Sequence, residues 1–201
     1  MPPVVIDATL QIRIVWLLAG LKEGLSVLHA NIGGATPVNA AMANTISQAV
    51  ADAHDSSGLN AVQPDTVQID RVEIRDIRTP WQPIITGTAG MPSAGTIVGG
   101  DLLPKANALV VTHRTALAGP RFRGRTFLPG FDEAASAADG TATTAARNAA
   151  RGFLEDLQTS MQAEGWPLGV ASLTGGLITN ITGFDQRVAS WGSQRRRRAF
   201  F

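Results

Sequence analysis

The chain has 201 residues, a formal net charge of +1, 16% charged residues, 21 glycines and 11 prolines. That length suits one domain with a sizeable core, and the composition describes a folded, loop-rich protein, not a disordered one. The near-zero charge excludes a global field that would draw in nucleic acid. Cysteine is absent, which excludes disulfides, a thiolate nucleophile and a cysteine-based zinc site. No run approaches the ~20 apolar residues of a membrane span. The start of the chain lacks the basic opening and long apolar stretch of a secretory leader, so no membrane partner is expected.

Leu10, Ile12, Ile14 and Trp16 alternate with Gln11, Arg13 and Val15, which predicts a strand with one buried face. Gly20 to Gly24 reads as a turn, and 25–32 as the return strand, closed by Gly33-Gly34. Thr36-Pro37 then opens a helix, with threonine as the cap and proline at the first helical position. Val38, Met42, Thr45, Ile46, Ala49, Val50 and Ala53 give it an apolar stripe, and Ser56-Ser57-Gly58 ends it.

Residues 66–78 read as a charged strand. Its apolar phase flips between Ile69 and Val72, predicting a bulge, and Arg71, Glu73 and Arg75 form a solvated ladder on one face. The stretch from Pro80 to Pro104 is rich in glycine and proline. It predicts a short strand at 84–88, a mobile loop, and a strand at 96–98. Loops of this length are often functional, and a subunit contact is expected here.

Ala108–Ala116 is a buried strand with Leu109-Val110-Val111 at its centre. Gly119-Pro120 turns it into Arg-Phe-Arg-Gly-Arg-Thr-Phe-Leu (121–128), and Pro129-Gly130 makes a tight turn of type II character. Thr143 or Thr144 caps a second helix running to about Glu164, with Ala146, Ala149, Ala150, Phe153, Leu154, Leu157 and Met161 as its stripe. Gly165-Trp166-Pro167 stops it. Strands at 168–173 and 177–188, joined at Gly175-Gly176, close the fold.

Strands and helices do not alternate regularly, which argues against a parallel doubly wound sheet. The expected architecture is α+β: a mainly antiparallel sheet with two helices packed on one face, in a single domain over 1–192 followed by a basic and aromatic tail at 193–201. A β-sandwich with helical insertions is the alternative. Each half looks like strands feeding a helix, yet no sequence repeat is visible.

Little in the chain supplies catalytic chemistry. His29, His54 and His113 lack metal-ligand spacing, and the glycine-rich segments match neither the dinucleotide nor the P-loop pattern. Asp132-Glu133 and Glu155-Asp156 are adjacent pairs, which do not share a helix face. No enzyme activity, cofactor or metal is expected.

The feature that asks for a partner is the arginine run. Successive strand residues point to opposite faces, so Arg121, Arg123 and Arg125 share one face, while Phe122, Gly124, Thr126 and Leu128 share the other. Such a face is a solvated surface, an intersubunit salt-bridge surface, or a polyanion site. Basic residues are 15 Arg and 2 Lys, a bias that a GC-rich genome also produces. The second basic feature is the tail, where Arg195, Arg196, Arg197 and Arg198 are flanked by Trp191, Phe200 and Phe201. Aromatics around arginines suit an interface anchor. Phosphate contact is the alternative.

Arg-Gly-Arg-Thr-Phe-Leu-Pro-Gly (123–130) after Ala-Leu-Val-Val-Thr (108–112), with Gln-Arg-Arg-Arg-Arg (194–198) near the end, resembles a group of uncharacterised proteins of about this length encoded by phages and environmental viruses. In those, the hairpin and the arginine-rich terminus recur with an alanine-rich helix between them. The resemblance covers roughly the C-terminal half. It implies a virion structural role, in coat, tail or decoration, with assembly in the host cytoplasm and no catalytic residues. The partners implied are other copies of the same chain and other virion proteins. The alternative is a nucleic-acid-binding protein that uses the same arginines.

Overall fold

The strand carrying Leu10, Ile12, Ile14 and Trp16 lies at the centre of the larger of two antiparallel sheets, and all four side chains are fully buried. The computed structural model describes residues 6–18, 22–63, 67–79, 81–91, 107–115, 117–118, 125–131, 143–168 and 170–180. In chain order these hold β1 (Ile6–Asp7), β2 (Leu10–Leu18), β3 (Lys22–Ala30), α1 (Ala40–Ser56), α2 (Leu59–Val62), β4 (Val67–Asp76), β5 (Ile85–Gly87), β6 (Asn107–Thr115), β7 (Leu117–Ala118), β8 (Arg125–Phe131), α3 (Thr144–Ala163) and β9 (Val170–Asn180). The fold is α+β, as the order of elements implied.

The first sheet runs β3-β2-β4-β5, every pair antiparallel. The second runs β8-β6-β9, also antiparallel. A two-residue parallel pair joins β1 to β7. β3 at the edge of the first sheet lies against β8 at the edge of the second, and α1 packs on α3.

The two halves share one connection pattern. In each, a central strand (β2 or β6) is flanked by the next long strand in the chain (β3, or β8 beyond the two-residue β7). A helix (α1 or α3) then leads to the strand on the central strand's other side (β4 or β9). The repeat is one of topology, carried by unlike sequences.

The helix layer and the sheet meet in one core. α3 buries Ala146, Ala149, Ala150, Phe153, Leu154, Leu157 and Met161, the stripe that its spacing predicts. α1 buries Met42, Ala43, Ile46, Ser47, Val50, Ala51 and Ala53, while Thr45 of the predicted stripe is exposed. Phe153 reaches the indole of Trp16, ring centroids 6.3 Å apart, so α3 covers the same face of the first sheet as α1. Burying each large apolar side chain here contributes about 1.5–3 kcal/mol. The Trp16 Nε1–H donates to Ser26 Oγ at 2.8 Å, which satisfies the one polar atom this ring brings into the core.

Several boundaries differ from those expected, each for a tertiary reason. Asn39, not Thr36, caps α1, its Oδ1 accepting from Met42 N at 3.0 Å. Thr36 and Pro37 belong to a loop whose carbonyls are held from 42 residues away. Pro129-Gly130 is not a turn: both residues lie in β8, where Phe131 pairs with Asn107 and Pro129 with Ala108, so Gly130 is the extra residue of a bulge. The two closing strands expected to meet at Gly175-Gly176 are one: β9 runs unbroken through the glycines, with irregularities at Thr174, between the partners of Thr112 and His113, and at Ala171, between those of Arg114 and Thr115, while the expected continuation over 181–188 lies outside the described residues. The bulge expected between Ile69 and Val72 is present: Val15 pairs with Arg71 and Trp16 with Ile69, leaving Asp70 unopposed.

Candidate interaction surfaces

Of the expected arginine hairpin the paired strands are in place, while its turn at Gly119-Pro120 lies outside the described residues. β6 and β8 are antiparallel, with Arg125 opposite Thr112 and Leu128 opposite Leu109. Leu128 is fully buried, so the apolar phase expected for this strand is met at that position. Arg121 and Arg123 lie outside the described residues, as do Trp191, Arg195, Arg196, Arg197, Arg198, Phe200 and Phe201. The strand expected at 96–98 lies outside them too.

The second face of the first sheet is organised in three rungs set by register. His29, Gln11 and Arg75 form the first, Val27, Arg13 and Glu73 the second, and Leu25, Val15 and Arg71 the third. Charge runs down β4 and crosses to β2. Arg71 Nε donates to Glu73 Oε1 at 3.0 Å, Arg13 stands 3.8 Å from Glu73 Oε2, and Arg75 donates to Gln11 Oε1 at 3.2 Å. Arg71 also pairs with Asp70.

This face is not the solvated ladder expected for it. Arg71, Glu73 and Arg75 are half-buried, and Val15 in the same phase is fully buried. His29 carries the electrostatic consequence. Burial, reinforced by the positive charge of Arg75, lowers its pKa from 6.5 to about 4, so at neutral pH the imidazole is uncharged.

At the end of β4 one guanidinium organises a loop from a distance. Arg78 grips the Asp76 carboxylate through Nε at 3.0 Å and Nη2 at 2.7 Å. The same guanidinium donates to the carbonyls of Gly33 at 2.6 Å, Gly34 at 2.9 Å and Thr36 at 2.8 Å. The planar fork of arginine suits this multiple donation. The Arg78 hydrogen bond holds the Asp76 carboxyl below its usual range, and the Arg78 pKa is raised in turn.

Three residues on, Trp81 is 99% exposed and its backbone is left-handed, with φ of 68°. Ile84 follows at 48% exposed. Sequence reading placed this loop among candidate subunit contacts without singling out Arg78 or Trp81. The only local signal was a tryptophan bracketed by Pro80 and Pro83.

The remaining histidines do not gather. His54 Nε2 is 2.9 Å from Gln63 Oε1, and its ring meets Trp16 edge-on with centroids 5.7 Å apart. His113 lies in β6, on the other sheet. Among the described residues no group of three or more His, Asp or Glu is placed to hold a metal ion, and no helix is long and apolar enough to cross a membrane.

The chain matches no family model, no curated protein and no solved structure.

Proposed function

We propose that this protein is a virion structural protein, a repeated subunit of a capsid, tail or surface lattice that works by binding copies of itself. The observation that carries the reading is the exposed Trp81, held in a left-handed backbone on a loop whose base is fixed by Arg78. Rigidly presented aromatic side chains are what protein interfaces use as anchors. The β6–β8 hairpin supports it as well, since that segment carries the viral resemblance. In this reading Arg121, Arg123 and Arg125 and the tail from Arg195 to Phe201 contribute further subunit contacts, with Trp191 beside them.

The competing reading assigns the same arginines to nucleic acid. Deleting 195–201 separates the two. As an interface anchor, the tail is required for assembly, and Phe200→Ala with Phe201→Ala harms assembly about as much as replacing the four arginines. As a nucleic-acid arm, the deletion spares assembly and removes a binding whose affinity falls with salt at a slope of about −0.9 per phosphate contact on duplex DNA. The structural reading predicts loss of assembly.

A further inference from the structure

We propose that the carbonyls of Gly33, Gly34 and Thr36, together with the Asp76 carboxylate, form a preformed guanidinium-binding site, which Arg78 fills as a tethered ligand and so latches the 31–39 loop to the end of β4. The proposal is independent of the repeated-subunit reading.

The first observation is completeness. A guanidinium carries five N–H donors in a fixed plane. Nη1 of Arg78 directs its two at Gly33 O and Gly34 O, Nη2 directs its two at Thr36 O and Asp76 Oδ2, and Nε–H meets the same carboxylate. Every donor therefore has an acceptor, drawn from two segments more than 40 residues apart in sequence. Acceptors spread round a planar fork describe a receptor for that shape, whereas an ammonium is a point charge with three donors. One carboxylate and three neutral carbonyls also balance the charge of one monocation.

The second observation is that both walls of the site are set by groups other than the Arg78 side chain. On the loop wall, Ile32 N donates to Thr9 Oγ1 at 2.8 Å, Asn31 N to Pro167 O at 3.0 Å and Gly33 N to Asn31 Oδ1 at 2.9 Å. Gly33 has a φ of 73°, the left-handed turn that a glycine adopts freely. Asn39 fixes the far end by capping α1. On the strand wall, Ile77 N donates to Thr9 O at 3.0 Å and the Arg78 backbone N to Asp76 Oδ1 at 2.9 Å. Thr9 thus ties the walls together, its hydroxyl holding one and its carbonyl the other. A site so supported outlasts the loss of its ligand.

The consequence is a site that can be emptied and refilled. Arg78→Ala deletes the atoms beyond Cβ and leaves half-buried acceptors facing a gap. Ethylguanidinium replaces the deleted atoms one for one. It is the probe of choice, with ethylammonium as the control of equal charge.

The test uses the full chain and reads thermal unfolding and backbone amide NMR shifts while millimolar ethylguanidinium chloride is added. Arg78→Ala lowers the melting temperature, and ethylguanidinium raises it again with saturation, because a ligand that binds the folded state alone stabilises it. Ethylammonium binds about tenfold more weakly or worse, since it offers three donors to five acceptors. The shifts gather at 33–36 and 76–78. The native chain, its site already filled, shows no such rise, and neither does Arg78→Ala with Asp76→Asn. A melting temperature of Arg78→Ala equal to the native one overturns the latch. Absence of a rise with ethylguanidinium overturns the site, as does an equal response to ethylammonium, in the native chain or in the double variant. If Arg78→Ala does not fold unaided, recovery of a native melting transition on adding ethylguanidinium supports the proposal, and failure to recover one overturns it.

Discussion

Gly87 lies directly beneath the carbonyl of Ala43. A Cβ on Gly87 would collide with the Ala43 carbonyl group and the Asn44 amide. β5 therefore passes under α1 with backbone against backbone, and Thr88 N donating to Asn44 Oδ1 at 3.3 Å and Ser47 Oγ donating to Ala89 O at 2.8 Å fasten the approach.

Gly87→Ala is accordingly expected to destabilise the fold by about 2–3 kcal/mol, since the strand or the helix must move to admit one methyl group. Gly34→Ala is the control: nothing stands within 4 Å of its Cβ position, so its effect stays within about 0.5 kcal/mol. Urea unfolding of the two variants makes the comparison.

Arg78→Lys tests the clamp. A single ammonium cannot hold the Asp76 carboxylate and three carbonyls at once. The variant is expected to lose about 1–2 kcal/mol and to speed amide exchange over 33–38. An unchanged exchange rate there would show that the loop is held by other means.

His29 gives the protein a pH response with a defined window. Unfolded, the imidazole titrates near 6.5, whereas folded it does so at about 4. Between those values the unfolded chain takes up a proton that the folded chain refuses. The stabilisation is therefore fully present above pH 6.5 and is lost as pH falls towards 4. The loss is about 1–3 kcal/mol, the upper figure being the full shift without solvent screening. His29→Gln flattens stability across this window. Asp76 acts lower: its folded pKa lies below 3.8, so its contribution holds above that value and disappears as pH falls further. Thermal unfolding from pH 7.5 to 3 resolves the two steps.

Replacing Arg121, Arg123 and Arg125 together by Ala is expected to weaken assembly and to leave the melting temperature of an isolated subunit within about 2 °C, because the core face of β8 is untouched. A large fall in that temperature would assign the arginines to an intramolecular network.

What could be read from sequence was local periodicity. The α3 stripe matched residue for residue because a 3.6-residue period needs only one apolar partner layer. The bulge at Asp70 was legible because it inverts an alternation within one strand. Thr36 misled because its carbonyl is claimed by Arg78, distant in sequence. Gly87 gave no sign of its role because only the crossing of α1 over β5 defines it. The topological repeat was hidden because unlike side chains satisfy the same connections. Of the candidate site, the pairing of β6 with β8 was legible from the apolar strand at 108–112 and the alternation that follows it. Trp81 was not, since hydrophobicity alone places a tryptophan inside.

The central claim is that the chain is built to bind copies of itself. Sedimentation velocity of the purified, nuclease-treated chain from micromolar to millimolar concentration tests it most directly. The account predicts concentration-dependent growth beyond the 21.1 kDa monomer that Trp81→Gly suppresses. A single monomeric species across the whole range would contradict it.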